Sequence, residues 1–312
     1  MTKTKSENLK QKSEDNSLLL QKSHAFSSYK IKQDYETVYY FLKDNGFSEN
    51  FITNLRKVKG FILINNQPST TKSFLPKDSI LSICNNPNPK TTIMPCILPL
   101  DIVYEDAYYL LVNKPSGIST MPNRSHFSKN LAGAICWYMQ SRQPDFTLRI
   151  LNRLDKDTSG LVLVAKNSIA QKDIKNIEKT YLAICEGKID KSCTISKPIL
   201  TICENGVNLQ KRVISEKGQE ATTSITPVKI MDECTLLSIK LQHGRTHQIR
   251  VHLASIGHPL VGDQLYGKIS DKINHAALCC TELSFYHPYL KKKLCFTAPL
   301  PQDFLMLTHS CV

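Results

Sequence analysis

An α+β fold is expected for this chain: a larger domain on a largely antiparallel mixed sheet with peripheral helices, preceded by a small α+β module. Three features of the sequence predict it. Beyond residue 100, short apolar runs at residues 109–112, 161–165, 181–184 and 236–241 read as strands, and the clearest helical pattern among them is Leu131, Ala134, Ile135 and Tyr138. Before residue 85, two short helical patterns are followed by a hairpin pattern. Between these regions, residues 85–92 are rich in Pro and Asn, the composition of a linker.

Residues 1–27 are mostly Lys, Ser, Glu, Gln and Asn with little to bury, so a disordered tail is expected there. In the module, residues 28–84, Val38, Phe41 and Leu42 share a helical face, and Gly46 stands where that helix would stop. Ser48 can cap a second helix carrying Phe51, Ile52 and Leu55, which Gly60 would end. Residues 61–64 then form a strand, Asn65-Asn66 suits a tight turn, and residues 79–83 return as another strand. A linker over 85–99 leads to the larger domain, 100–312.

The 312 residues are enough for two domains, and 41% hydrophobic with 21% charged residues is ordinary for a globular protein. No apolar run approaches the ~18 residues of a membrane helix, and no secretion signal is visible, so a cytoplasmic monomer is expected. The balance of 40 Lys+Arg against 27 Asp+Glu gives +13. Nucleic acid is the polyanion that best suits such a charge, ahead of an anionic membrane. The 11 Cys, an odd number without zinc spacing, read as reduced, mostly buried thiols. The 12 Gly form no dinucleotide or phosphate-binding loop, so no nucleotide cofactor is expected, nor any other cofactor.

The polar stretch 149–160 runs into the apolar residues 161–165, which mounts Arg153 and Asp155 on a loop held by a buried strand. Asp155-x-Asp157-x-Ser159-Gly160 imitates the opening of a calcium loop, but Lys166 occupies the twelfth position where the bidentate Glu belongs, so calcium is excluded. His243 and His247 have metal-ligand spacing on a helix, yet Gly244 argues for a loop and no acidic residue completes a site. Thr246 can cap a helix with Ile249, Leu253 and Ile256 on its apolar face, ending before Gly257. Arg250 then lies in the first turns, where the helix dipole disfavours a cation and an anion should pair with it. A surface ion pair and a site carboxylate remain equally open as that anion.

Residues 29–84, with the segments GFILINNQP and LPKDSILSI, resemble the alpha-L RNA-binding motif; that resemblance implies that Arg56, Lys57 and Lys59 face phosphates. The segments LNRLDKDTSGLVLVAK, KTYLAICEG and LQHGRTHQIRVHLASIGHPLVGDQLYG together resemble the RluA family of pseudouridine synthases, over about residues 102–307. One departure is Asn152, where the family often has His. The resemblance implies a catalytic domain of pseudouridine synthase type that isomerises uridine in structured RNA, with ribosomal RNA of the large subunit favoured over transfer RNA by the extra module. It implies Asp155 as catalytic carboxylate, Arg250 as the arginine paired with it, and Tyr181 as the ring that stacks on the uracil. Arg153 would help extrude the nucleotide, Lys114 and Arg245 would contact phosphates, and His247 and Gln248 would belong to the RNA-binding set and support Arg250. The rival readings are a non-catalytic RNA-binding or ribosome-assembly protein, a transfer-RNA synthase, and a hydrolase, the last lacking a second catalytic carboxylate in any motif.

Overall fold

The computed structural model describes residues 25–87, 93–122, 129–143, 146–204 and 207–310. Most of the expected tail and the centre of the expected linker lie outside them. The chain divides into two compact units, one comprising Met1–Met94, Cys136–Arg149 and Ala165–Asp173, the other Pro95–Ile135, Ile150–Val164 and Ile174–Val312.

In the smaller unit, β1 (Phe26–Lys30) begins where tail residues were expected. Helix α1 (Val38–Asp44) starts after Thr37, whose hydroxyl accepts from the Tyr40 N–H at 3.5 Å. Helix α2 (Glu49–Arg56) is capped as expected: Ser48 Oγ accepts from the Phe51 N–H at 3.3 Å. The strands β2 (Ile62–Ile64), β3 (Gln67–Pro68) and β4 (Ile80–Cys84) join β1 in the order β1-β4-β2-β3. Asn65 and Asn66 both have positive φ, 48° and 65°, which matches the turn that joins strands of right-handed twist. That turn closes on the two-residue β3, whereas β4 comes in on the opposite side of β2. Ile31, Leu42, Ile52, Leu55, Leu81 and Ile83 form the core, with Ile169 packed among them. Asn85 and Asn86, expected to open a linker, are buried, and Asn86 Oδ1 accepts from the Ser168 N–H at 3.1 Å.

The chain continues as β5 (Asp101–Glu105), β6 (Tyr109–Lys114), α3 (Leu131–Gln140), β7 (Arg149–Ile150), β8 (Ser159–Ala165), α4 (Ser168–Asp173) and β9 (Lys175–Glu186). Then come β10 (Cys193–Ser196), β11 (Ile199–Glu204), β12 (Val207–Ile214), β13 (Thr222–Ile230), β14 (Cys234–Leu241), α5 (Gln248–Ala254), β15 (Leu278–His287), β16 (Lys292–Thr297) and α6 (Gln302–Ser310). A ten-stranded sheet runs β10-β13-β14-β9-β15-β8-β6-β5, with β16 on β15 and β7 on β8. The β15–β8 pair is parallel, and the other neighbours whose register is established are antiparallel. This is the α+β class the sequence predicts.

Strand β8 is buried along its whole length, which is why its sequence shows a continuous apolar run and no alternation. One row across the sheet sets up the site: Ile239, Tyr181, Cys280 and Gly160 are successive register partners on β14, β9, β15 and β8. Gly160 has φ +110°, and a Cβ there would stand 2.2 Å from the Cys280 carbonyl oxygen. Only glycine allows that approach. Nine cysteines whose side chains are described form no disulfide, and most of them are buried. No helix among the described residues is long and apolar enough to cross a membrane.

Candidate active site

The loop between β7 and β8 carries Asp155 and is fastened on several sides. The Asn152 side chain bridges to β8, its Nδ2 donating to Leu161 O at 3.0 Å and its Oδ1 accepting from the Leu163 N–H at 2.7 Å. Asparagine at this position is therefore a buried clamp on the loop's entry. Thr120 Oγ1 donates to Leu154 O at 2.6 Å, and Ser116 Oγ donates to Asp157 O at 3.0 Å. The Lys114 ammonium, wholly buried, donates to Pro115 O at 2.9 Å, Ile118 O at 2.7 Å and Lys156 O at 3.1 Å. Burial pulls its pKa down to about 7, against the pull of Asp155 and Asp157. Lys114 thus satisfies three carbonyls inside the fold and reaches no phosphate, which corrects the expectation for it.

With the backbone held at residues 152, 154, 156 and 157, the Asp155 side chain is left 26% exposed. It stands on the wall of a cleft of about 440 Å³ also lined by Arg153, Lys179, Tyr181, Arg245 and Arg250. A second cleft of about 760 Å³ shares Arg153, Asp155, His247 and Arg250 and is lined further by Ser119, Arg212 and Gln264. Asp155 therefore faces two connected concavities on one unit.

Arg250 is buried on α5 and has found an anion, as its place in the helix required, but the anion is Asp263. Its Nε donates to Asp263 Oδ2 at 2.8 Å and its Nη2 to Oδ1 at 2.7 Å. The expectation of an Arg250–Asp155 pair is corrected: Asp155 acts on Arg250 only as a nearby charge. Burial works against the Arg250 charge, and the bonds to Asp263 more than reverse it, so the guanidinium is held above its ordinary value. Burial likewise opposes the Asp263 carboxylate, but Arg250 and the N–H groups of Leu265 and Tyr266 hold it below its ordinary value.

Helix α5 begins after His247, not Thr246, and His247 sits in the left-handed region with φ 58°. Its Nε2 lies 4.0 Å from Asp155 Oδ2, and its Nδ1 is 3.1 Å from the Tyr266 hydroxyl. Burial, then the cations Arg250 and Arg212, lower its pKa against the pull of Asp155, which leaves the imidazole neutral at neutral pH. Gln248 is buried and ties α5 to β13, donating to Thr222 O at 3.0 Å and Thr223 Oγ1 at 3.1 Å. Its Oε1 also accepts from the Arg245 N–H at 3.0 Å, so its side-chain bonds go to β13 and Arg245 and not to Arg250. Arg245 is exposed, its Nε donating to Glu220 O at 3.0 Å. Tyr181 is buried at the cleft wall; burial first, then Cys280 and Asp155, raise its pKa well above the usual phenol, so it stays protonated. Arg153 is exposed and lines both clefts.

In the smaller unit Arg56, Lys57 and Lys59 are all exposed. Arg56 Nε donates to Thr71 Oγ1 at 2.9 Å while its guanidinium lies 5.4 Å from the Tyr39 ring, and Lys57 Nζ donates to Asn54 Oδ1 at 2.7 Å. Among the described residues no group of three or more His, Cys, Asp or Glu is placed to hold a metal.

Around Arg250, three residues carry no role in the sequence-based expectations. Asp263 and Tyr266 lie in the segment GDQLYG and meet Arg250, the Tyr266 ring 5.3 Å from its guanidinium. Arg212 on β12 is joined to them through its backbone, whose N–H donates to the Tyr266 hydroxyl at 2.7 Å. A buried arginine that needs an anion was the signal for Asp263; β12 carried none.

Comparison with known proteins gives the class of this domain as an RNA-modifying synthase. A family model described as RNA pseudouridylate synthase matches residues 108–255, a span that holds Asp155, Tyr181 and Arg250. An uncharacterized RNA pseudouridine synthase of Bacillus subtilis, YjbO, is 34% identical over 280 residues, covering 87% of this chain and 98% of its own. Ribosomal large subunit pseudouridine synthase D of Zymomonas mobilis is 34% identical over 232 residues, covering 67% of this chain and 72% of its own. The solved structure of human RNA Pseudouridylate Synthase Domain Containing 4 shares the fold, with a TM-score of 0.53 at 20% identity over 67% of this chain and 92% of that one. The chain belongs to the RluA family of RNA pseudouridine synthases, isomerases that convert uridine to pseudouridine in RNA.

Proposed function

We propose that the chain isomerises uridine in large-subunit ribosomal RNA, with Asp155 as the carboxylate that meets the anomeric carbon. The observation that carries this reading is the position of Asp155, on a loop anchored from four sides, at the wall of a cleft shared with Tyr181 and Arg250. The reaction breaks the bond from the ribose anomeric carbon to N1, turns the base and rejoins it through C5. A carboxylate beside the anomeric carbon either attacks it or stabilises the positive charge that develops there.

The neighbours divide the remaining work. Asp263 occupies Nε and Nη2 of Arg250, which leaves Nη1 as a donor toward Asp155 or a substrate phosphate. Tyr181, protonated and at the cleft wall, offers its ring to the uracil. Arg153 fills the stack that the extruded nucleotide vacates. Arg245 and the basic residues Arg56, Lys57 and Lys59 contact phosphates, and the net charge of +13 supports an RNA partner. The ribosomal target rests on relatives named large-subunit synthases. Action as a monomer in the cytoplasm completes the proposal.

The test is to incubate the protein with large-subunit ribosomal RNA and with transfer RNA, each tritiated at uridine C5. Release of tritium from the ribosomal RNA is expected. Release from transfer RNA alone overturns the target, free uracil indicates a hydrolase, and no release from either favours a non-catalytic binder.

A further inference from the structure

Lys179 lines the Asp155 cleft and has no part in the reading above. It precedes Tyr181 by two residues on β9, so both side chains leave the same face of the sheet. Its Nζ lies 5.9 Å from the centroid of the Tyr181 ring. Among the described residues this half-buried ammonium has no hydrogen-bond or ion-pair partner. Lys114, by contrast, has three carbonyl acceptors. A half-buried cation that faces an aromatic ring and has no oxygen acceptor among the described residues of the cleft is placed to receive one from a ligand. Burial accordingly lowers its pKa, with the Cys280 thiol opposing.

A flipped uridine offers three acceptors: its phosphates, its ribose and its pyrimidine. Arg153 and Arg245 are exposed at the rim of the cleft, where a backbone remains when a base is turned inward. Lys179 lies deeper, beside the ring on which the base stacks. We infer that the Lys179 ammonium binds the pyrimidine carbonyl oxygens and stabilises the negative charge that the base acquires as the glycosidic bond breaks. This rests on the roles given above to Asp155 and Tyr181.

When the bond from the anomeric carbon to N1 breaks, its electron pair leaves with the pyrimidine and spreads over N1 and both carbonyl oxygens. The positive charge left on the sugar meets the Asp155 carboxylate. The pyrimidine turns, C5 bonds to the anomeric carbon, the C5 proton passes to solvent and N1 takes up a proton. Lys179 remains an ammonium throughout. Its attraction is stronger for the departing anion than for the neutral base, so it acts on the rate more than on binding.

The test uses the full chain and C5-tritiated ribosomal RNA under single-turnover conditions. Lys179→Met, which keeps the stem without the charge, should lower the rate at saturating protein by about 10²–10³-fold, as removal of one charge-stabilising donor does. RNA affinity should stay within about threefold, and thermal unfolding should be unchanged, since no partner loses a bond. Lys179→Arg should recover the rate to within about tenfold of wild type, because the charge is retained. Should Lys179→Met fail to fold, Lys179→Gln carries the same readout. A Lys179→Met rate equal to an active wild type overturns the inference, as does a loss confined to affinity, which would assign Lys179 to the RNA backbone. Lys179→Arg as slow as Lys179→Met also counts against it. A wild type that releases no tritium overturns the parent reading, and this inference falls with it.

Discussion

Asp263→Asn is the perturbation whose consequence the geometry specifies most fully. Asp263 Oδ1 accepts from Arg250 Nη2 at 2.7 Å, the Leu265 N–H at 3.0 Å and the Tyr266 N–H at 3.1 Å; Oδ2 accepts from Arg250 Nε at 2.8 Å. An amide oxygen would take the position with three donors. The amide nitrogen would then confront the Arg250 Nε–H, donor against donor. Both residues are buried, Asp263 completely, so the guanidinium would lose its counter-charge where water cannot replace it. Breaking a buried pair by removing one partner costs about 3–5 kcal/mol. At about 2–4 °C per kcal/mol for a unit of this size, the unfolding midpoint should fall by roughly 6–20 °C at neutral pH. The pH dependence has a definite sign. Asp263 titrates below its ordinary value when folded, so its contribution is complete above the unfolded pKa of about 3.9 and is lost as pH falls through the folded value. The gap between wild type and variant should therefore hold steady above about pH 5 and close in stronger acid. Thermal unfolding followed by circular dichroism across that range measures it. A neutral-pH shift within about 2 °C would refute the assigned pair, as would a gap that widens in acid.

Gly160→Ala should destabilise the chain by more than about 3 kcal/mol in urea unfolding, because the new Cβ meets the Cys280 backbone at a positive φ; unchanged stability would show that β8 and β15 are not so close. Lys114 has a folded pKa of about 7, below its unfolded value, so between these values the unfolded chain binds more protons and stability rises with pH. Replacing it in Lys114→Met should remove that rise, by up to about 1.4 kcal/mol per pH unit, in denaturant titrations from neutral to alkaline pH; an unaltered slope would contradict the buried ammonium. Combining Arg56→Ala, Lys57→Ala and Lys59→Ala should make RNA affinity less sensitive to salt, the log–log slope falling by about 0.7–0.9 for each phosphate no longer neutralised; an unchanged slope would remove these residues from the interface.

Much of the catalytic unit was legible because local rules and tertiary packing agree there. The apolar run at 161–165 is a strand buried on both faces, and its shortness, the preceding Gly160 and its two valines favour a strand over a buried helix. The Ser48 cap was likewise visible, since capping depends on residues three apart. What stayed hidden depends on partners far apart in sequence. Arg250 plainly needed an anion, but Asp155, Asp157 and Asp263 were all on offer, and spacing along the chain does not rank them. The choice fell to Asp263 because the turn after residue 262 brings it beneath α5 with two backbone N–H groups already on the carboxylate. Lys114 was misjudged for a different reason. It ends β6, a strand buried on both faces from Tyr109 to Val112, and its ammonium is tolerated there only because three carbonyls await it. Strand β3, two residues long, has no sequence signal of its own, so the hairpin after Asn65-Asn66 was assigned to the wrong strand.

The most direct test compares Asp155→Asn with wild type, measuring single-turnover tritium release and RNA affinity on the same preparation. The expected result is a rate at least about 10⁴-fold lower with affinity within about threefold, because the amide keeps the shape of the side chain but cannot meet a cationic sugar carbon. An Asp155→Asn protein that still releases tritium at the wild-type rate would show that the reacting carboxylate lies elsewhere.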